Sequence, residues 1–325
     1  MNTVKINFSD FWDGFDPENN FIRDALKKHF RVEISKDPDF VFCSNFGNRH
    51  LKYNCVKIYY TGENLCPDFN LMDYALGFQP ITFTDRYLRF PLYVLYKEAC
   101  DLALKKHHLP DNYRISEKKF CNYVISNAIS DPSRSEMIRV LESYKSVDSG
   151  GKYKNNVGGP VRDKVAFEKG YKFTMCFENS SAPGYTTEKL MEAFAGQTVP
   201  IYWGNPDIAK EFNPNAFINC HDFGSFSEVL AEVKRIDEDD ARFMEMLKAP
   251  VLSDDSQANA ILEEDYLSDY LYAILSQGDN AYRRNRIYLG KRYEDQARFH
   301  QKIDRVLYLP RRAIFYFQNR LKRRG

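Results

Sequence analysis

The stretch KFTMCFENSSAPGYTTEKLMEAFAGQTVPIYW, residues 172–203, decides how the rest of the chain is read. KFTMCFE (172–178) is a short apolar run of strand length, a helix is expected near 187–195, and TVPIYW (198–203) is a second apolar run. Strand, helix and strand at this spacing predict two parallel strands joined by a crossover helix. Working outward, FCNYVIS (120–126) and a helix over 133–145 extend the same alternation upstream. Nearer the N-terminus it occurs a second time. There VKINF (4–8) alternates as a strand, PENNFIRDALKKHF (17–30) is an amphipathic helix with Pro17 near its start, and FVFC (40–43) and VKIYY (56–60) are apolar strands.

A Leu- and Ala-rich helix over 92–106 closes this first unit, and KKHHLPDNYR (105–114) reads as a linker. After Ser256 the pattern is wholly helical, as in ILEEDYLSDYLYAIL (261–275). The expected organisation is α/β, with two Rossmann-like domains, 1–113 and 114–282, and a basic helical tail, 283–325. Two open parallel sheets in tandem enclose a cleft at the carboxyl ends of their strands, where such folds bind ligands.

Composition narrows the classes. With 43% hydrophobic and 28% charged residues the chain suits a folded domain pair. Its 15% aromatic content suits either two large cores or sugar-stacking surfaces. Seven cysteines without a CxxC pair are expected to be reduced, and the N-terminus MNTVKINFSDFWDGF lacks a signal-peptide pattern, so a cytoplasmic location is expected. The net charge of +1 conceals 14 Lys+Arg against 3 Asp+Glu from Arg283 onward, which leaves the first 282 residues acidic.

Several residues stand where chemistry could occur. Thr186 is a candidate N-cap for the helix near 187–195, with Glu188 in its first turn. Lys189 opposes the helix dipole there, so a nearby anion would explain it, although a solvated surface lysine fits the position as well. Glu188 suits ribose hydroxyls, or plain dipole stabilisation. Arg134, in DPSRSEMIRVL (131–141), falls early in a helix after a strand, where its fork could hold phosphate or simply face solvent. Glu63, directly after VKIYY in a loop with Gly62 and Asn64, could act as a general base or make a turn hydrogen bond.

The blocks TGENLCPDFNLMDYALGF (61–78), DRYLRFPLY (85–93) and CFENSSAPGYTTEKLMEAFAGQTVPIYWGNPDIAKEFNP (176–214) resemble the signature blocks of glycosyltransferase family 10, the α-1,3/1,4-fucosyltransferases, with the bacterial enzymes most similar. The resemblance spans roughly 55–225. It implies a GT-B architecture and an inverting transfer of L-fucose from GDP-β-L-fucose to O3 or O4 of N-acetylglucosamine in lactosamine-type glycans. Lipopolysaccharide O-antigen is one such acceptor, and the products are Lewis-type structures. By the same resemblance Glu63 is the base, Arg134 and Lys189 meet the diphosphate, Glu188 meets the ribose, and Asn179 and Tyr185 line the donor pocket. No metal or other cofactor is required, and a divalent ion would act, if at all, on product release. The short segment 105–119 departs from the family pattern, and tandem heptad repeats before the tail are absent.

The tail RVLYLPRRAIFYFQNRLKRRG (305–325) places Ile314, Phe317 and Leu321 on one helical face and Arg312, Arg320, Lys322, Arg323 and Arg324 largely elsewhere. Peripheral contact with an anionic inner-membrane surface is expected, a packed C-terminal helix is the alternative, and no nucleic-acid partner is expected. The competing functions are a transferase of the same fold with another nucleotide-sugar donor, and a non-catalytic glycan-binding protein.

Overall fold

The computed structural model describes residues 1–106, 108–109, 113–127 and 130–322, with side chains described throughout except at 304, 305 and 308–322. The first sheet contains β1 (Thr3–Ser9), β2 (Arg31–Ile34), β3 (Phe40–Cys43), β4 (Val56–Tyr60), β5 (Tyr74–Gly77) and β6 (Tyr87–Arg89), in spatial order β2-β1-β3-β4-β5-β6, all parallel. The second contains β7 (Lys119–Tyr123), β8 (Val147–Ser149), β9 (Tyr171–Phe177), β10 (Val199–Trp203) and β11 (Ile218–Asn219), in order β11-β10-β9-β7-β8, again all parallel. Strands β3, β4, β5 and β9 are buried along their whole length, as parallel strands covered on both faces must be. The expected two-sheet α/β architecture is therefore present.

Helix α1 (Phe21–Lys27) is shorter than the pattern suggested. Asn20 caps it, its side chain accepting from Arg23 N at 3.0 Å, so Pro17 lies outside. In the second half α3 (Ser133–Glu142), α4 (Lys164–Glu168), α5 (Glu188–Ala195), α6 (Phe226–Asp237) and α7 (Asp240–Lys248) accompany the sheet. The segment ILEEDYLSDYLYAIL divides between α8 (Ala258–Ile261) and α9 (Tyr266–Leu275).

Two helices pack against the lobe opposite to the one their sequence position suggests. Helix α2 (Lys97–Leu104), read as the close of the first unit, puts Ala99, Cys100 and Ala103 into one cluster with Leu190, Met191 and Phe194 of α5. Helix α9, inside the span allotted to the second domain, returns to the first, where Leu267, Leu271, Ile274 and Leu275 join Ile6, Ile22, Phe40 and Ile58 in the core. The chain thus crosses between lobes twice. Linear periodicity reports that a helix has an apolar face and not which sheet that face will cover.

Helix α10 (Tyr288–Lys322) leaves from the first lobe. Arg286 pairs with buried Asp73 at 2.8 Å, Arg284 pairs with Glu294, and Arg298 donates to the Leu51 carbonyl at 2.8 Å. The side chains of 308–325 named for membrane contact lie outside the described residues. Among the described residues no helix is long and apolar enough to cross a membrane.

Since Leu271 is fully buried in the first-lobe core, Leu271→Ala should cost about 2–5 kcal/mol. In denaturant unfolding the transition reported by the first lobe should move, and a first-lobe transition that stayed in place would put α9 elsewhere.

Candidate active site

Three loops leaving parallel strands meet between the lobes. After β4 come Thr61, Gly62 and Glu63. The Glu63 backbone N–H donates to Thr61 Oγ1 at 3.0 Å, and the side chain is exposed. The next residue bridges the lobes, with Asn64 Nδ2 donating to Ser180 Oγ at 2.8 Å. Ser180 belongs to the loop after β9, so the loop carrying Glu63 is tied to the one carrying Asn179 and Tyr185.

On the second lobe, Arg134 opens α3 and is almost wholly buried, at 2% exposure. Its Nη2 donates to the Phe177 carbonyl at 3.0 Å and to Asn179 Oδ1 at 2.8 Å, and its Nε has no hydrogen-bond partner. Burial pulls the guanidinium below its ordinary value, against the attraction of Glu178. The surface reading of Arg134 is therefore wrong: the residue is held at the end of β9 by the strand's own carbonyl.

Helix α5 begins one residue later than proposed. Thr187, not Thr186, occupies the N-cap, and Glu188 is the first helical residue. The Thr187 hydroxyl does not cap the helix, because it is bonded to Glu178 at 2.7 Å. Glu178 is one residue the sequence reading missed. Its carboxylate is fully buried, accepts from Thr187 N at 2.7 Å and pairs with Lys189 Nζ at 2.8 Å. The anion that explains Lys189 is thus built into the protein. Burial works to lower the Lys189 pKa, but Glu178 and then Glu188 outweigh it and hold it above the ordinary lysine value. For Glu188, burial works upward and is outweighed by Lys189 and Lys164, so the carboxyl stays below its usual range. The signal available in the sequence was a carboxylate placed directly after an apolar run of strand length, KFTMCF.

Tyr185 is where these groups converge. It is buried, its ring meets Phe78 of the first lobe edge-on at 4.9 Å, and its hydroxyl lies in the fields of Glu178, Glu63, Glu188 and Arg134. Burial first, and then those carboxylates, push the phenol well above its ordinary value. The structure therefore brings all six proposed site residues into one neighbourhood. Glu63 comes from the first lobe, and Arg134, Asn179, Tyr185, Glu188 and Lys189 come from the second. Gly184 allows the close approach: its φ is +80°, and a Cβ there would collide with the Phe78 carbonyl across the cleft.

Asn205 and Glu211, from the NPDIAKEF part of the third signature block, were not assigned a role on sequence. Glu211 accepts from Arg89 Nη2 at 2.7 Å, from Tyr93 Oη at 3.0 Å and from Asn205 Nδ2 at 3.0 Å. Asn205 Oδ1 accepts from Gly184 N at 2.8 Å. Behind α5, Lys164 Nζ pairs with Glu192 at 2.6 Å and approaches the fully buried Glu168 at 3.8 Å. Neither Glu168 oxygen has a hydrogen-bond partner, and burial pushes this carboxyl up to about 8. Among the described residues no His, Cys, Asp and Glu grouping could hold a metal ion.

Comparison with known proteins gives two family matches. The N-terminal domain of alpha-(1,3)-fucosyltransferase FucT matches residues 6–96, and the C-terminal part of glycosyltransferase family 10 (fucosyltransferase) matches 115–248. The chain is 33% identical over 284 residues to the alpha-(1,3)-fucosyltransferase FucT of Helicobacter pylori, covering 75% of this chain and 59% of that protein. It is 31% identical over 160 residues to an alpha-(1,4)-fucosyltransferase of Arabidopsis thaliana, covering 42% of this chain and 40% of the relative. Both relatives are therefore spanned over less than two thirds of their length. A crystal structure of an alpha1,3-fucosyltransferase superimposes with a TM-score of 0.76 at 30% identity, covering 88% of this chain and 93% of that one. An alpha1,3-fucosyltransferase with GDP-fucose gives 0.70 at 29% identity, over 84% and 90% of the two chains.

Two measurements follow from these geometries. Lys189→Ala leaves Glu178 buried and uncompensated, so it should cost about 3 kcal/mol of stability. Glu178→Gln combined with Lys189→Ala should recover much of that loss, and a double variant no more stable than the single one would refute the pairing. Because the folded Glu168 pKa lies above its unfolded value, the contribution of this carboxyl to wild-type stability declines as pH rises from about 4.5 towards 8. Glu168→Gln should therefore gain thermal stability over wild type across that window and show no gain at pH 4.

Proposed function

Since the chain belongs to glycosyltransferase family 10, the fucosyltransferases, we propose that it transfers L-fucose from GDP-β-L-fucose to O3 or O4 of N-acetylglucosamine in a lactosamine-type glycan. The observation that carries this reading is geometric: Asn64, next to exposed Glu63 of one lobe, donates to Ser180 in the loop of the other lobe whose Asn179 accepts from buried Arg134. In this reading Glu63 takes the proton of the acceptor hydroxyl as its oxygen attacks C1 of fucose. The C1–O bond to diphosphate breaks on the opposite face, the electron pair leaves with GDP, and the β-linked donor becomes an α-fucoside.

Departing diphosphate gains charge at the leaving oxygen. Arg134, anchored on the Phe177 carbonyl, and Lys189, oriented by Glu178, are the cations positioned to meet it without reorganising. Glu188, kept ionised by Lys189 and Lys164, suits the ribose hydroxyls, and Asn179 orients Arg134 at the pocket wall. Turnover on this reading needs no metal, and a divalent ion acts only on release of GDP.

The acceptor, by extension, is a lipopolysaccharide O-antigen or similar chain that becomes a Lewis-type structure. The basic run 305–325 supports a peripheral contact with the cytoplasmic face of the inner membrane.

GDP release from GDP-fucose, with N-acetyllactosamine or its type 1 isomer as acceptor, should depend on acceptor and fall about 100-fold or more in Glu63→Ala. GDP should compete with the donor and UDP should not. Absence of GDP binding would overturn the reading, and UDP competition would point to the other donor class.

A further inference from the structure

We propose that the loop tips bearing Trp12 and Phe46 form a preassembled aromatic platform for the acceptor, holding the sugar adjacent to the one whose hydroxyl reacts. This inference rests on the fucosyl-transfer reading and adds a subsite to it. Most aromatic rings of the first lobe serve its core, but Trp12 is 40% exposed and Phe46 is 52% exposed. Both follow strands that end at the same edge of the sheet as the strand leading to Glu63. Ser9 of β1 pairs with Cys43 of β3, which pairs with Tyr59 of β4. At about 4.8 Å between neighbouring strands, the loop leaving β1 lies about 10 Å from the loop leaving β4, a span suited to a disaccharide.

The two loops are locked to each other. Asp10 has a left-handed backbone, φ +61°, a conformation open to Asp because its short side chain can form local hydrogen bonds. Its buried carboxylate accepts from Arg49 N at 2.9 Å and His50 N at 2.7 Å and is bonded to His50 Nδ1 at 2.8 Å, while its carbonyl accepts from Phe46 N at 3.0 Å. Although burial opposes ionisation, these bonds from His50 and Arg49 hold the carboxyl at about 2, so the clasp persists across the neutral range. Gly47 is required beside it, because a Cβ there would run into Asp10 Oδ1. Trp12 opens a tight turn closed by Phe15 N donating to the Trp12 carbonyl at 3.2 Å, and its ring is braced by Phe15 at 5.2 Å and Phe11 at 5.6 Å.

The network continues to the base. Asn45, beside Phe46, accepts from Thr61 Oγ1 at 2.7 Å, and Thr61 Oγ1 in turn accepts from Glu63 N at 3.0 Å. One chain of hydrogen bonds therefore links the loop bearing Phe46 to the backbone that carries Glu63, and the Asp10 clasp ties the loop bearing Trp12 to both. Beside Trp12 is a cavity of about 200 Å³ whose walls include Phe8 and Phe15 together with Arg49 and Lys52. Rings offering a flat face, with cationic donors at the rim, match a pyranose, which has an apolar C–H face and a belt of hydroxyls.

The test uses N-acetyllactosamine as probe. The sequence has two tryptophans, so Trp203→Phe leaves Trp12 as the sole reporter. Titrating the probe in the presence of GDP should change its emission saturably. In kinetics, Trp12→Ala and Phe46→Ala should each raise the acceptor KM about tenfold, the scale expected when an aromatic ring at a binding surface is truncated to alanine, with GDP affinity unchanged and Trp12→Tyr restoring most of the affinity. With free N-acetylglucosamine, which lacks the second sugar, the same variants should show no penalty. Silent Trp12 emission, or an unchanged acceptor KM in variants that still bind GDP, would overturn the platform and leave fucosyl transfer standing. Failure of the wild type to bind GDP would instead overturn the transfer reading.

Discussion

The cleft depends on one buried ion pair, Arg89 with Glu211. Arg89 ends the first sheet's last strand, and its Nη2 also donates to the Gly184 carbonyl while its Nε donates to that of Phe78. Glu211 belongs to the second lobe and is satisfied further by Tyr93 and Asn205. Burial pushes the Glu211 carboxyl up, against the pull of Arg89 and the hydrogen bonds, whereas at Arg89 burial is outweighed by the attraction of Glu211, which holds the guanidinium above its ordinary value. The consequence of this junction is positional. Gly184 and the loop that follows it are pressed against Phe78, and Tyr185 is carried to the point where the fields of Glu63 and Arg134 overlap.

From that junction the donor side is organised by a second buried carboxylate. Glu178 accepts from the N-cap residue of α5 and fixes Lys189, so the helix start and an oriented ammonium are held together. A lysine in the first turn is unfavourable with respect to the helix dipole, and Glu178 offsets that cost from within the fold. Asp10 plays the corresponding part in the first lobe, where a left-handed residue and a saturated carboxylate hold two loops at the strand ends. In each lobe a charge taken out of water acts as a positioning device, since every lone pair it satisfies removes a degree of freedom from a loop.

Much of this was legible in the chain. The stretches FVFC, VKIYY and TVPIYW became β3, β4 and β10 almost residue for residue, because each is a short apolar run bounded by polar residues. Strands β2, β5, β6, β8 and β11 were not anticipated. They are two to four residues long, and two of them, YALG and YLR, lie inside motif blocks whose local pattern is too brief to show a period of two. The resemblance to a known family nominated six site residues, four of which, Glu63, Arg134, Glu188 and Lys189, the spacing alone left ambiguous with ordinary structural roles.

By itself, then, the sequence determined the alternation of strands and helices, the parallel class of both sheets, the family and a set of candidate residues for the cleft, all of which depend on local pattern or on ordered motifs. The tertiary structure alone decided which lobe α2 and α9 would cover, that Arg134 is buried, that the α5 cap is Thr187, and that Glu178, Asn205 and Glu211 hold the site in place. Those facts arise from contacts between segments far apart in the chain, as in Arg89 with Glu211 or Asn64 with Ser180. Burial and pairing of a charge are properties of the surroundings it folds into, and no window of neighbouring residues contains them.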